Sequence, residues 1–168
     1  FLDKYLLSKK GDMINVDTGK KISQHHGLYH YTLGQRKGIG IGGVGSGEPW
    51  FVVGKDLKKN LLYVAQGEQH EALYSTSLIG EAPAWTLDEE PVFPLHCTAK
   101  FRYRQQDIPV TVHKMEDGNL HIVYDNPVKA VTPGQVAVLY DADICLGSSI
   151  IKSIEPVNSK YKYLNPTF

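Results

Sequence analysis

Four short stretches of this sequence hold residue types that could do chemistry. The most distinctive is Tyr31-Thr32-Leu33-Gly34-Gln35-Arg36-Lys37-Gly38, which opens a segment where seven of the fourteen residues 34–47 are glycine. Glycine at that density permits positive φ and close approach to another surface, while Arg36 and Lys37 supply charge suited to phosphate. The segment lacks the Gly-Lys-Ser/Thr ending of a P-loop, and no strand-loop-helix pattern surrounds it, so it is no nucleotide fingerprint. It serves either as a structural loop or as a loop that contacts substrate.

The second stretch is 95–104. Side chains alternate across a strand, which puts Leu95, Cys97, Ala99, Phe101 and Tyr103 on an expected core face and His96, Thr98, Lys100, Arg102 and Arg104 on the other. Lys100, Arg102 and Arg104 would then stand roughly 6.8 Å apart, on the scale of phosphate spacing along a nucleic-acid strand. The alternative is a solvated outer face whose cations pair with acids on a neighbouring strand.

The third is the histidine cluster His25, His26 and His30. Neutral imidazoles bind zinc or exchange protons, but a zinc site normally needs further ligands, and both cysteines lie far downstream. Structural or RNA-contacting histidines fit better, and no metal is expected. The fourth comprises Cys97 and Cys145 themselves, each among apolar neighbours, without the cation or helix start that activates a thiol. With no paired carboxylates and no serine elbow, the chain shows no catalytic constellation of its own.

These residues need a scaffold, and its pattern is β. Short apolar runs rich in β-branched and aromatic residues alternate with Gly, Pro, Asn and Asp, while helical periodicity is scarce. One hairpin is predicted to pair 50–54 with 61–65, and another 110–114 with 120–124 across Glu116-Asp117-Gly118-Asn119. Further strands are expected at 95–103, 136–140 and 145–153, the spacing of a small barrel. The fold class is therefore mainly β, with a small β-rich central module over 1–76 and a six-stranded-type barrel over 77–168. The proline-rich, acidic stretch 80–94 is the expected joint, and residues 158–168 a tail ordered by docking or frayed.

Composition bounds the partners. Basic and acidic residues both total 18, so the chain as a whole advertises no polyanion site, and any such site must be a local patch. Ten basic residues face seven acidic ones up to residue 80, and eight face eleven after it. Two cysteines suit a reducing, cytoplasmic compartment, and no apolar run is long enough to span a membrane. The chain opens on Phe1 inside an amphipathic pattern (Phe1, Leu2, Tyr5, Leu6), from which preceding material is expected.

The same stretches resemble the tRNA-specific 2-thiouridylases, the MnmA/TrmU family. The resemblance rests on His26-Gly27-Leu28, the Tyr31 to Gly38 block, Trp50-Phe51-Val52-Val53-Gly54-Lys55-Asp56, Arg102-Tyr103-Arg104-Gln105, Val131-Thr132-Pro133-Gly134-Gln135 and Cys145-Leu146-Gly147, in that order. It implies that this chain corresponds to the middle module and a C-terminal barrel like those of translation factors, which help hold a tRNA anticodon arm. A front domain would activate C2 of the wobble uridine with ATP and magnesium. Two cysteines there would pass on sulfur from a relay protein to give 2-thiouridine. That domain's Ser-Gly-Gly-x-Asp-Ser loop has no counterpart here, and Cys97 and Cys145 inherit no catalytic role.

Carried onto this sequence, the resemblance implies tRNA contact by Arg102, Tyr103 and Gln135. Arg36, Lys37 and Arg104 join them from charge and position. Ser148 and Ser149 stand where the family pattern has glycines. The expected function is the tRNA-binding part of a monomeric 2-thiouridylase, inactive by itself. Two alternatives are a non-catalytic translation-factor-like barrel binding a protein or RNA partner, and a self-contained enzyme using His25 or His26.

Overall fold

The computed structural model describes residues 8–164, and they are built mainly of β-strands. They divide into two compact units, one formed by 8–73 with 158–164 and the other by 74–157. The amphipathic pattern at Phe1, Leu2, Tyr5 and Leu6 lies outside the described residues.

The first unit is a four-stranded sheet of β1 (Gly11–Asn15), β2 (Lys21–His25), β3 (Trp50–Asp56) and β4 (Leu61–Gln66), in the order β2-β1-β4-β3. The β1/β4 pair is parallel and the other two are antiparallel. The predicted hairpin of β3 and β4 forms, its turn closed by the Asp56 carboxylate accepting from the Lys59 amide and by Asn60 at φ 55°. One side of the sheet packs Met13, Leu62 and Val64 against Leu28, Tyr31 and Ile39 from the loops. β3 is buried on both faces, because it also meets the Glu71–Leu73 turn and a terminal 3₁₀ helix, Ser159–Leu164. Tyr161 and Leu164 of that helix are buried, and burying two such side chains contributes roughly 1.5–3 kcal/mol each. The tail expected to dock or fray thus docks over its described part.

The second unit is a closed barrel of β5 (Tyr74–Trp85), β6 (Leu95–Lys100), β7 (Ile108–Lys114), β8 (Leu120–Lys129), β9 (Val136–Asp141) and β10 (Ile144–Pro156), ordered β10-β5-β8-β7-β6-β9. Every neighbouring pair is antiparallel, and closure leaves no exposed sheet edge. Inward residues at period two, such as Val110 and Val112 on β7 and Leu120 and Ile122 on β8, fill the interior with Phe101, Leu139 and Ile151. The β7/β8 turn carries Gly118 at φ 86°, as its sequence predicts.

Three expectations need correction. Residues 80–85 are no joint: they complete β5, and Pro83 is accommodated because the ladder to β10 is irregular there, with Ala82 at φ 46°. The division falls between Leu73 and Tyr74 without a linker, slightly before the 76/77 boundary read from the sequence, and 158–164 belong to the first unit, not to the barrel. The strand expected over 95–103 stops at Lys100, where the chain bends.

Candidate nucleic-acid interface

The end of β6 explains where its cations go. The Gln105 side chain accepts from the Phe101 amide at 2.8 Å, and the Gln105 amide donates to the Arg102 carbonyl at 3.3 Å, turning the chain away from the ladder. Phe101 remains in the core, 5.1 Å ring to ring from Tyr124. Alternation ends there. Tyr103, expected inside, is 90% exposed, and Arg104 sits at φ 64° with its guanidinium 5.4 Å from the Tyr103 ring. Lys100 pairs with Asp107 at 3.5 Å and lies over the Tyr140 ring at 5.5 Å. The expected stripe of three evenly spaced cations is therefore absent, and for Lys100 the pairing with a nearby acid is what forms.

Arg102 turns inward. Its Nη2 donates to the Ala130 carbonyl at 2.6 Å, and burial pulls its guanidinium below its ordinary pKa range. The same carbonyl accepts from Thr132 Oγ1 at 3.0 Å. Ala130 follows β8 with φ 57°, a left-handed conformation that costs a non-glycine residue roughly 1–2 kcal/mol. A hydrogen bond from a charged donor contributes roughly 1.5–3 kcal/mol, enough to hold it there.

Beyond Ala130 the chain forms the turn Thr132-Pro133-Gly134-Gln135, with Gly134 at φ 90°. Its exit is tied to β10: the Gly134 amide donates to the Ile151 carbonyl at 2.7 Å and the Ile151 amide to the Gln135 carbonyl at 2.8 Å. The Gln135 side chain has no hydrogen-bond partner among the described residues. Strands β6 and β9 pair Thr98 with Tyr140, Ala99 with Leu139 and Lys100 with Val138. Extended past the end of the ladder, that antiparallel register brings Tyr103 level with Gln135. One end of the barrel thus presents an exposed aromatic ring, a cation beside it and an uncommitted amide, on two turns joined through Ala130.

In the first unit the glycine-rich segment is an ordered loop. Gln35 accepts from the Thr32 amide and donates to the Lys37 carbonyl, while Gly34 and Gln35 exchange backbone hydrogen bonds with Val52 of β3. Gln66, at the end of β4, accepts from the Ser46 amide at 3.1 Å and donates to the carbonyls of Val44 and Glu48 at 3.1 and 2.9 Å. Arg36 and Lys37 are exposed on the rim of an open groove of about 670 Å³ that also includes Ile41, Val44 and Trp50.

The histidines separate. His25 is fully buried, with Nδ1 accepting from the Gly27 amide at 3.0 Å, so Nε2 carries the proton and donates to the Asn60 carbonyl at 2.9 Å. Both nitrogens are used structurally, whereas His26 and His30 are exposed. Among the described residues no three His, Cys, Asp or Glu side chains converge on a metal position. Cys97 packs against the barrel core, and burial, with Asp141 nearby, pushes its thiol up to about 11. Gln35, Gln66, Gln105 and Thr132 were missed as organisers, since an amide or hydroxyl that bonds to backbone has no periodicity to betray it.

The family model described as a tRNA methyl transferase PRC-barrel domain matches residues 1–66, and the one described as an aminomethyltransferase beta-barrel domain matches residues 75–151. The tRNA-specific 2-thiouridylase MnmA of Listeria monocytogenes is 51% identical over 164 residues, 98% of this chain and 43% of its own length. The protein of the same name from Alkaliphilus oremlandii is 53% identical over 154 residues, 92% of this chain and 42% of its own. The Geobacillus kaustophilus tRNA-specific 2-thiouridylase MnmA 2 is 50% identical over 164 residues. The chain spans less than half the length of these relatives.

Proposed function

Since this chain belongs to the tRNA-specific 2-thiouridylase family, as its central and C-terminal modules, we propose that it is the part of such an enzyme that grips the anticodon arm of tRNA while the wobble uridine is thiolated elsewhere. The observation that carries this is the pairing of Tyr103 with Gln135 at one end of the barrel. A ring 90% exposed to water is well placed to stack on an unpaired base, and the Gln135 amide can reach a sugar or base edge. Arg104 stands beside the ring as a cation for a phosphate, and Arg36 and Lys37 offer a second basic contact from the first unit. Activation of the base by ATP with magnesium, and delivery of sulfur from a donor protein, fall to the portion of the relatives that this chain does not span. Cys97, held as a thiol in a barrel wall, takes no part in that delivery.

The test is tRNA binding by the full-length protein. Loss of base stacking costs roughly 1–3 kcal/mol, so Tyr103→Ala with Gln135→Ala is expected to weaken binding about 10- to 100-fold at near-physiological salt. Unchanged affinity in that double variant overturns the proposal and leaves a protein partner for this end of the barrel.

A further inference from the structure

We infer that Arg102 is a positioning residue, which fixes the Thr132–Gln135 turn through the Ala130 carbonyl instead of gripping a phosphate itself; the inference rests on the tRNA-binding proposal and assigns a division of labour within that site.

The geometry is specific. A carbonyl oxygen has two lone pairs, and at Ala130 both are taken, one by Arg102 Nη2 at 2.6 Å and the other by Thr132 Oγ1 at 3.0 Å. Ala130 itself occupies a backbone region that alanine seldom adopts, at φ 57°, and it leads into Val131, which is 2% exposed. The turn is therefore held at its entry by Arg102 and Thr132, and at its exit by the two hydrogen bonds to Ile151. Between these anchors only the Gln135 side chain is left uncommitted, so its aim depends on where Ala130 is held. Were the guanidinium to swing onto a phosphate, it would strand the Ala130 carbonyl and release the strained residue that sets the turn. Neighbouring Tyr103 and Arg104 project the other way and are the groups placed for direct contact.

The two roles differ in their response to salt and in their coupling. Each phosphate contact adds about 0.9 to the slope of log affinity against log salt on duplex and about 0.7 on a single strand. In full-length protein titrated with its tRNA across a salt series, Arg102→Ala is expected to weaken binding about tenfold with the slope unchanged. Thr132→Val, which removes the other donor and no charge, is expected to weaken binding in the same way. In a Gln135→Ala background, either substitution is expected to cost less than about twofold, because the residue being aimed is gone.

A slope lower by about one contact in Arg102→Ala, or losses that multiply independently of Gln135, overturns the positioning role while leaving the tRNA-binding proposal standing. No loss from Gln135→Ala together with Tyr103→Ala sinks the tRNA-binding proposal first, and the positioning role with it. Should Arg102→Ala fail to fold, Thr132→Val, paired with Gln135→Ala, decides the question alone.

Discussion

Arg102 and Thr132 donate to one acceptor, the Ala130 carbonyl, from opposite sides in sequence. The residue they hold is an alanine at φ 57°, and its side chain decides how well that backbone is tolerated. Ala130→Gly relieves the left-handed strain but loses a buried methyl and frees the unfolded chain, so the net change is expected within about 1 kcal/mol. Ala130→Val adds branching at a conformation that disfavours it, and is expected to destabilise the barrel by roughly 2–3 kcal/mol in urea denaturation. Equal stability of the two variants would show that φ at this position is not fixed.

Cys97 gives a pH signature. Its thiol is pushed up to about 11 from an ordinary value of 9.0. Between those values the unfolded chain has released its proton and the folded chain has not, so folding stability falls as pH rises from about 9 to about 11. Tyr124, whose phenol burial also raises, adds a fall of the same sign above its ordinary range. Alkylation at pH 8 should be much slower at Cys97 than for free cysteine, and should accelerate sharply on denaturation. Rapid labelling of the native protein at that pH would contradict the burial.

Gln66 is the staple of the glycine-rich loop, through three hydrogen bonds to Val44, Ser46 and Glu48. Gln66→Ala is expected to cost roughly 1–3 kcal/mol, allowing for solvent on one side. The Ser46 amide should lose protection against hydrogen exchange in that variant. Unaltered exchange would mean that the positive-φ glycines hold the loop by themselves.

Gly54 is required by the terminal helix. A β-carbon there would meet the Leu164 carbonyl oxygen and lie 2.8 Å from Leu164 Cβ, closer than real contacts permit. Gly54→Ala should displace the helix and expose Leu164 and Tyr161, at a cost of roughly 2–4 kcal/mol, similar to truncating a buried side chain. Leu164→Ala removes the same packing from the other partner and should be destabilising by a similar amount. Combining the two should cost little more than either alone, because both remove one contact. Strict additivity would place the helix elsewhere.

Hairpins and inward faces were legible because they obey a two-residue period and turns have their own chemistry. Asp56 and Asn60 close one turn and Gly118 the other as their types predict. The binding end was legible only in part. The order of motifs located Arg102, Tyr103 and Gln135, and the register of β6 against β9 brings the last two level. What period two could not foresee was that Gln105 bonds back to Phe101, ends the strand and turns Tyr103 outward while Arg102 reaches inward. Pro83 misled for a related reason: a proline that signals a joint in a regular strand is accommodated where the ladder is irregular.

Residues 158–164 complete a unit whose other members all precede residue 74. On a ribosome the sheet would therefore emerge first yet wait for the whole barrel to be translated before its last covering piece arrived. Meanwhile β3 would keep one apolar flank wet. The earliest-made half of this chain is the last to mature, and a translation pause within the barrel would leave it exposed to chaperones and proteases.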